Sequence, residues 1–276
     1  MTVYTQNPLF SIVTPVLNGR QHLDECIQSV LKQSYTHIEH VFVDGGSVDG
    51  TMEGLTSYQT AHPHRIRIVS EPGSGPGQAW ITGIKAAAGE ILGCLGVDDI
   101  CEAGAIEAVA DFFRANSTAY FVHGGSYFIN ERGEILWRHE AAAFQLKDFV
   151  NTAFHIATTS AFYRRVVPER VGWLETHGDD FELMVRVARQ FEIHHMERVL
   201  SRLRLRKDSA FNPTDFEKRK KWYHQSYRVS REHGGDLFSP LAIRYYAAEV
   251  IGRLHLDPFW PWLRRVHRKL RGRPGV

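Results

Sequence analysis

The sequence predicts an α/β fold built on a mainly parallel sheet. Short apolar runs recur at Phe10–Val13, His40–Val43, Arg65–Val69 and Ile91–Leu95, with helical stretches between them and turn residues closing them. Such alternation is the pattern of βαβ units with right-handed crossovers, whose polar sites lie beyond the carboxyl ends of the strands.

Each element has a local reason. Phe10–Val13 is closed by Thr14-Pro15, and Leu23, Ile27, Val30 and Leu31 recur at helical spacing between Arg20 and Gln33. After strand His40–Val43, Ser47 is the expected N-cap of the next helix. Arg65–Val69 alternates as a strand. Pro76 opens a helix carried by Ala79 and Ile84, and Gly89 ends it. Strand Ile91–Leu95 leads to a helix over Ala103–Phe113. The pattern then changes: Tyr127–Ile129 and Ile135–Trp137 flank the turn Asn130–Gly133, so an antiparallel hairpin is expected. Phe181, Met184, Val185 and Ala188 mark a helix over Asp179–Phe191, and beyond Pro213 the chain reads helical and basic.

At 276 residues, 43% of them hydrophobic and 23% charged, the chain can bury a full core and is neither disordered nor collagen-like. Met1–Pro8 is polar, no apolar run reaches the roughly 20 residues of a membrane span, and Cys26, Cys94 and Cys101 fit no C-x-x-C spacing. A cytoplasmic setting is the resulting expectation. Charge is divided unevenly. Residues 1–200 carry 15 Lys and Arg against 24 Asp and Glu, whereas residues 201–276 carry 18 against 7. The basic end therefore meets a different environment from the acidic body.

Three acidic groups are candidates for chemistry. Strand His40–Val43 runs into Asp44-Gly45-Gly46-Ser47, and the fourth strand into Gly96-Val97-Asp98-Asp99, so both fall on one sheet edge. Adjacent carboxylates repel unless a cation relieves them, and few hard oxygen ligands suit Mg²⁺ or Mn²⁺ shared with a diphosphate. The plainer alternative is that Asp98 and Asp99 cap the helix that follows. Asp179-Asp180 opens a helix, where acids gain from the macrodipole; helix capping and a fixed general base are both open. No lysine precedes Thr51 in Gly45–Thr51, which excludes a P-loop, and no zinc spacing or Gly-x-Ser-x-Gly elbow occurs.

These segments resemble a family 2 glycosyltransferase with the GT-A fold. The likeness rests on Ser11–Asn18, on Leu23-x2-Cys26-Ile27-x-Ser29-Val30-Leu31-x-Gln33-Ser34-Tyr35, and above all on Val43–Thr51. It continues through Glu71-Pro72, Gly83–Ile91, Leu95-x2-Asp98-Asp99, Thr158–Arg165 and Asp180–Leu183, covering about residues 9–210. The resemblance implies inverting transfer from a nucleoside-diphosphate sugar to a saccharide or lipid-linked acceptor, in cell-surface polysaccharide or glycolipid synthesis. It implies that Thr14, Pro15 and Asn18 line the nucleotide pocket and that Asp44 holds base or ribose. Asp98 would touch ribose or metal, Asp99 would bind Mn²⁺ or Mg²⁺, and Asp180 would be the base, with Asp179 in reserve. Gly96 departs from the family's D-x-D, and Gln78 and Ile81 stand where an acid and an Asn are usual. A sugar nucleotidyltransferase is the competing enzyme, but Pro15–Asn18 replaces that class's basic Gly-rich loop; a nucleotide-binding scaffold is the non-catalytic alternative.

The expected division is a GT-A domain over residues 1–210 and a basic helical appendage over 211–276. Lys218–Tyr223 and Phe259–Arg265 mix cations with aromatic rings, and the last segment reads as a basic amphipathic helix. One reading is attachment to an anionic membrane face. The other is packing of the aromatics on the domain or on a second subunit of a homo-oligomer. Nucleic acid is not expected, because the body is acidic.

Overall fold

The computed structural model describes residues 5–152, 156–173, 180–206 and 215–260. β1 (Phe10–Val16), α1 (Arg20–Leu31), β2 (Ile38–Asp44), α2 (Thr51–Ala61), β3 (Ile66–Ser70), α3 (Pro76–Ala86) and β4 (Ile91–Cys94) form the alternating half. A short β5 (Ile100–Cys101), α4 (Ala105–Ala115), β6 (Phe121–Ile129), β7 (Ile135–His139) and α5 (Leu146–Thr152) follow. Next come β8 (Ala161–Arg164), α6 (Val166–Arg170), α7 (Asp180–Ala188), β9 (Ile193–Arg204), α8 (Phe216–Glu232) and α9 (Pro240–Arg253).

The sheet runs β3-β2-β1-β4-β8-β6-β9-β5, with β7 paired to β6. β3, β2, β1 and β4 are parallel, as are β6 and β9, while β8 is inserted antiparallel between β4 and β6. The predicted hairpin is the antiparallel β6–β7 pair. Because β8 runs against both neighbours, β4 and β6 point the same way. The ends of β1, β2, β4, β6 and β9 thus share one edge, and that edge carries the site.

Val41, Phe42 and Val43 are completely buried, the continuous apolar run of a strand covered on both faces. α3 lies against β1 and β2 at a distance only glycine permits. A Cβ on Gly83 would stand 2.3 Å from Val13 Cγ1 and 3.0 Å from Val43 Cγ2. β1 continues through Thr14-Pro15, the pair expected to close it. β4 leaves β1 after Val13, so by Pro15 the strand has a neighbour on one side only, where a missing N–H is tolerated.

The expected cap at Ser47 is not formed. Asp44 Oδ2 takes the N–H groups of Gly46 and Ser47, each at 3.0 Å, and holds them in an Asx turn. The helix starts at Thr51, after Gly50 in the left-handed region at φ +89°, and Asp49 Oδ1 accepts from Thr51 N at 3.1 Å.

α8 begins at Asp215, whose carboxylate accepts from Lys218 N at 3.0 Å; α9 begins at Ser239, whose hydroxyl accepts from Ala242 N at 3.2 Å. Phe216, Tyr223, Val229, Leu241 and Ala248 of this hairpin belong to one hydrophobic cluster with Phe149, Tyr163 and Phe181. Arg219 lies over the rings of Trp222 and Tyr223, at 4.7 and 4.9 Å from their centroids. The buried rings of this segment, Phe216 and Tyr223, therefore face the body. The basic amphipathic helix expected after Trp260 lies outside the described residues.

Candidate active site

Asp44 ends β2 almost fully buried. Its Oδ2 is used by the turn, while Oδ1 is buried without a hydrogen-bond partner among the described residues. A buried acceptor left open costs about 1–3 kcal/mol unless a ligand donor meets it. Opposite it, Asn18 adopts φ +53°, which its short polar side chain tolerates. Its N–H donates to Ser47 Oγ at 2.8 Å and its Oδ1 accepts from Val48 N at 2.9 Å, tying the loop after β1 to the loop after β2. Pro15 precedes this loop, half-buried.

Thr14 is buried, and its hydroxyl lies 2.8 Å from His40 Nε2. Burial, followed by the Arg65 charge, lowers the His40 pKa to about 3. The folded state therefore keeps His40 neutral, whereas an unfolded histidine protonates below about 6.5. Above that value His40 costs nothing; as pH falls from there toward 3, the unfolded state binds the extra proton and stability drops. At pH 5 the loss is about 2 kcal/mol. In urea unfolding between pH 7.5 and pH 5, His40→Gln should lose about 2 kcal/mol less stability than the unchanged chain, whatever the other titrating groups add to both.

Beyond β4 the chain folds Asp98 and Asp99 back over Gly96. A Cβ at Gly96 would lie 2.5 Å from Asp99 Oδ2 and 3.0 Å from Asp98 Oδ1, so both carboxylates converge on the space a side chain would fill. Gly96 is thus the residue that lets the pair meet. Asp99 is buried and accepts from Arg204 N at 2.8 Å. Burial first, and then the Asp98 charge, push its carboxyl up to about 7. Asp98 Oδ2 lies 3.2 Å from Arg206 Nε.

The end of β9 organises this pair, a role that no motif in the sequence announces. Arg204 is buried; its Nε donates to Asp98 O at 2.9 Å, its Nη1 to Asn130 O at 3.2 Å and Glu131 O at 3.0 Å, and its Nη2 pairs with Glu25 at 2.6 Å. The available signal is the period-two alternation of Ser201-Arg202-Leu203-Arg204-Leu205-Arg206, which places these arginines on one face of a strand.

Asp180 is the first residue of α7 and is exposed. The half-buried Cys94 thiol, at the end of β4, is raised by desolvation and then by the charges of Asp180 and Asp99. The helix-opening acid and Asp99 therefore both act on this thiol. Asp180 also acts on Tyr163, which packs with Trp173, and Trp173 meets Trp80 edge-on at 4.4 Å. Asp179 lies outside the described residues. Gln78 is exposed at the start of α3, and Ile81 is buried in the core, so it offers no contact to a sugar.

Among the described residues, no group of three or more His, Cys, Asp or Glu side chains is arranged to hold a metal. Two converging carboxylates still fit a hard divalent cation that keeps waters and shares a substrate's phosphates. Asp98 and Asp99 would hold it, with Arg206 sharing Asp98.

The sequence profile described as Glycosyl transferase family 2 matches residues 11–170, more than half of the chain. The chain belongs to glycosyl transferase family 2. This family-2 chain is 32% identical over 129 residues to chondroitin synthase of Escherichia coli, which takes in 47% of the chain and 19% of that protein. It is 29% identical over 166 residues to the minor teichoic acid biosynthesis protein GgaA of Bacillus subtilis, covering 57% of the chain and 37% of GgaA. The chain thus spans well under half the length of these two relatives. Its fold is that of S. aureus TarS 1–349, with a TM-score of 0.60 at 15% identity over 91% of the chain and 74% of TarS 1–349. It is likewise that of the mannosyltransferase PcManGT from Pyrobaculum calidifontis, in complex with GDP-Man and Mn²⁺. There the TM-score is 0.60 at 20% identity, over 92% of the chain and 72% of PcManGT. The fold is the GT-A fold that the sequence resemblance implies. No helix among the described residues is long and apolar enough to cross a membrane.

Proposed function

We propose that the chain transfers a sugar, with inversion, from a nucleoside-diphosphate sugar to an acceptor hydroxyl in cell-surface polysaccharide or glycolipid synthesis. The observation that carries the reading is the convergence of Asp98 and Asp99 over Gly96, on the edge where Asp44 holds an open carboxylate oxygen. Asp44 Oδ1 takes a donor of the nucleoside, and the Asn18–Ser47 clamp holds the loops that Thr14 and Pro15 lead into. A divalent cation, Mn²⁺ or Mg²⁺, bound to Asp98 and Asp99 would neutralise charge on the departing diphosphate. Asp180 takes the proton of the acceptor hydroxyl as its oxygen attacks the anomeric carbon. The bond from that carbon to the diphosphate oxygen breaks, and the nucleoside diphosphate leaves with the bonding pair. One displacement, with no sugar bound to the enzyme between steps, inverts the anomeric centre.

Support also comes from the neighbours: PcManGT is seen with GDP-Man and Mn²⁺, and TarS 1–349 with UDP-GlcNAc. The departure at Gly96, which favours a scaffold when taken alone, is explained by the room the carboxylates need. Calorimetry with UDP, GDP and dTDP tests the site. Mn²⁺ should tighten binding of one of them about tenfold or more, and Asp99→Asn should remove that gain. Binding indifferent to metal in the unchanged chain would sink the Asp98–Asp99 role. A donor screen that reads released nucleoside diphosphate would name the sugar.

A further inference from the structure

We propose that the outer face of the α8–α9 hairpin is a docking surface for an anionic lipid membrane. α9 is apolar on two sides. Leu241, Ala242 and Ala248 are buried against the body, while Ile243, Tyr246, Val250 and Leu254 follow one another at helical spacing on the outside, 45% to 61% exposed. Phe238, 87% exposed, and Leu237 extend this row from the turn before the helix. One apolar side of α9 is covered by the body, and the other is an exposed apolar stripe of the kind that marks a contact surface.

Charge identifies the cover. Beside the apolar row runs the exposed side of α8, with Lys221, His224, Gln225 and Arg228 at one-turn spacing. The two rows are joined where Tyr227 Oη meets Tyr246 Oη at 2.8 Å and His224 Nε2 meets Glu249 at 2.6 Å. Glu249 is within 4.0 Å of Lys220 and Arg253 and shares His224, and Glu232 is within 4.0 Å of Arg228; Asp236 is an exposed acid beside Leu237. Directly after Trp260 the sequence carries Arg264, Arg265, Arg268, Lys269, Arg271 and Arg273 and no acidic residue. An apolar stripe beside Lys221 and Arg228, on two helices that together carry eight Lys and Arg against three Glu, is the pattern of a helix in the plane of an anionic interface, apolar side chains in the acyl boundary and cations at the headgroups. A second copy on the same face would bring two net-basic hairpins together, whereas an anionic surface meets that charge with its opposite. None of Asp44, Asp98 and Asp99 belongs to this surface, and the inference does not rest on the sugar-transfer reading.

The test is co-sedimentation of the full chain with phosphatidylcholine vesicles, with and without about 30% phosphatidylglycerol. The chain should bind the anionic vesicles, release from them as salt rises, and ignore the neutral ones. Val250→Ser with Leu254→Ser should weaken binding about tenfold or more, with metal-dependent nucleotide binding unchanged. Both positions are more than half exposed, so the variant should melt with the unchanged chain. Hydroxyl-radical footprinting of the unchanged chain gives an independent reading, in which vesicles should protect Phe238, Tyr246 and Leu254. Equal binding by the double variant, or no protection of these residues, overturns the proposal. So does a concentration-dependent dimer in sedimentation velocity that the same double variant dissolves.

Discussion

Asp180→Asn should lower sugar transfer by about 10²- to 10⁴-fold while leaving nucleotide binding with Mn²⁺ as it is. The substitution keeps the shape and the helix-capping ability of the side chain and removes its negative charge together with its capacity to accept a proton. Asp180 is exposed at the head of α7, outside the core, and its charge acts with that of Asp99 on Cys94 at the end of β4. An acid needed only for the helix macrodipole would contribute about 0.3–1 kcal/mol of stability and no rate. Steady-state kinetics on the unchanged and Asp180→Asn chains, with the donor found in the screen, separates the two. The base should appear as a fall in kcat at near-constant donor KM; turnover equal to that of the unchanged chain would exclude Asp180 from the step.

Arg204→Ala should cost about 1–3 kcal/mol of stability, because buried carbonyls lose their donors while Glu25, half exposed, can turn to water. The guanidinium is buried and divided among three backbone carbonyls and Glu25, so its loss leaves several acceptors unmet at once. Arg204→Lys should recover little, because one ammonium cannot span the positions that a planar fork reaches. Urea unfolding measures the loss. Metal-dependent nucleotide binding should weaken in parallel, since Arg204 fixes the backbone of Asp98 while its own N–H holds Asp99. A midpoint shift worth less than about 1 kcal/mol would show the network to be dispensable.

The contrast between these two residues marks the boundary of what a sequence makes legible. Asp44, Asp98 and Asp99 fall on one edge by sequence pattern alone, because apolar strands ending in acids carry their direction with them. The β6–β7 hairpin is equally plain from its turn. β8 is not: Ala161–Arg164 is four residues long, and nothing in so short a run says that it enters the sheet antiparallel. β9 hides for another reason. Its arginines merge into the basic end of the chain, where their charge stands out and their alternation does not. Ser47 fails as a cap because its hydroxyl accepts from the Asn18 N–H while Asp49, two residues on, takes the Thr51 N–H at the actual helix start, and local propensity does not rank two such claims. Gly96 has the look of a defect in a motif, and only the positions of two side chains show it as the condition for their meeting.

The hydrophobic cluster that joins α8 and α9 to Phe149, Tyr163 and Phe181 has a thermodynamic consequence. The last helices do not hang from the fold; they unfold with it, or nearly so. Any ligand that prefers the ordered hairpin therefore adds its binding free energy to the stability of the whole, by the mass-action term RT ln(1 + [L]/Kd). Residues far from the outer face, down to the helix that opens with Asp180, inherit that gain. A surface of this kind acts as a thermostat for the site as well as an anchor: the chain is firmest where its partner is present, and loosens when set adrift.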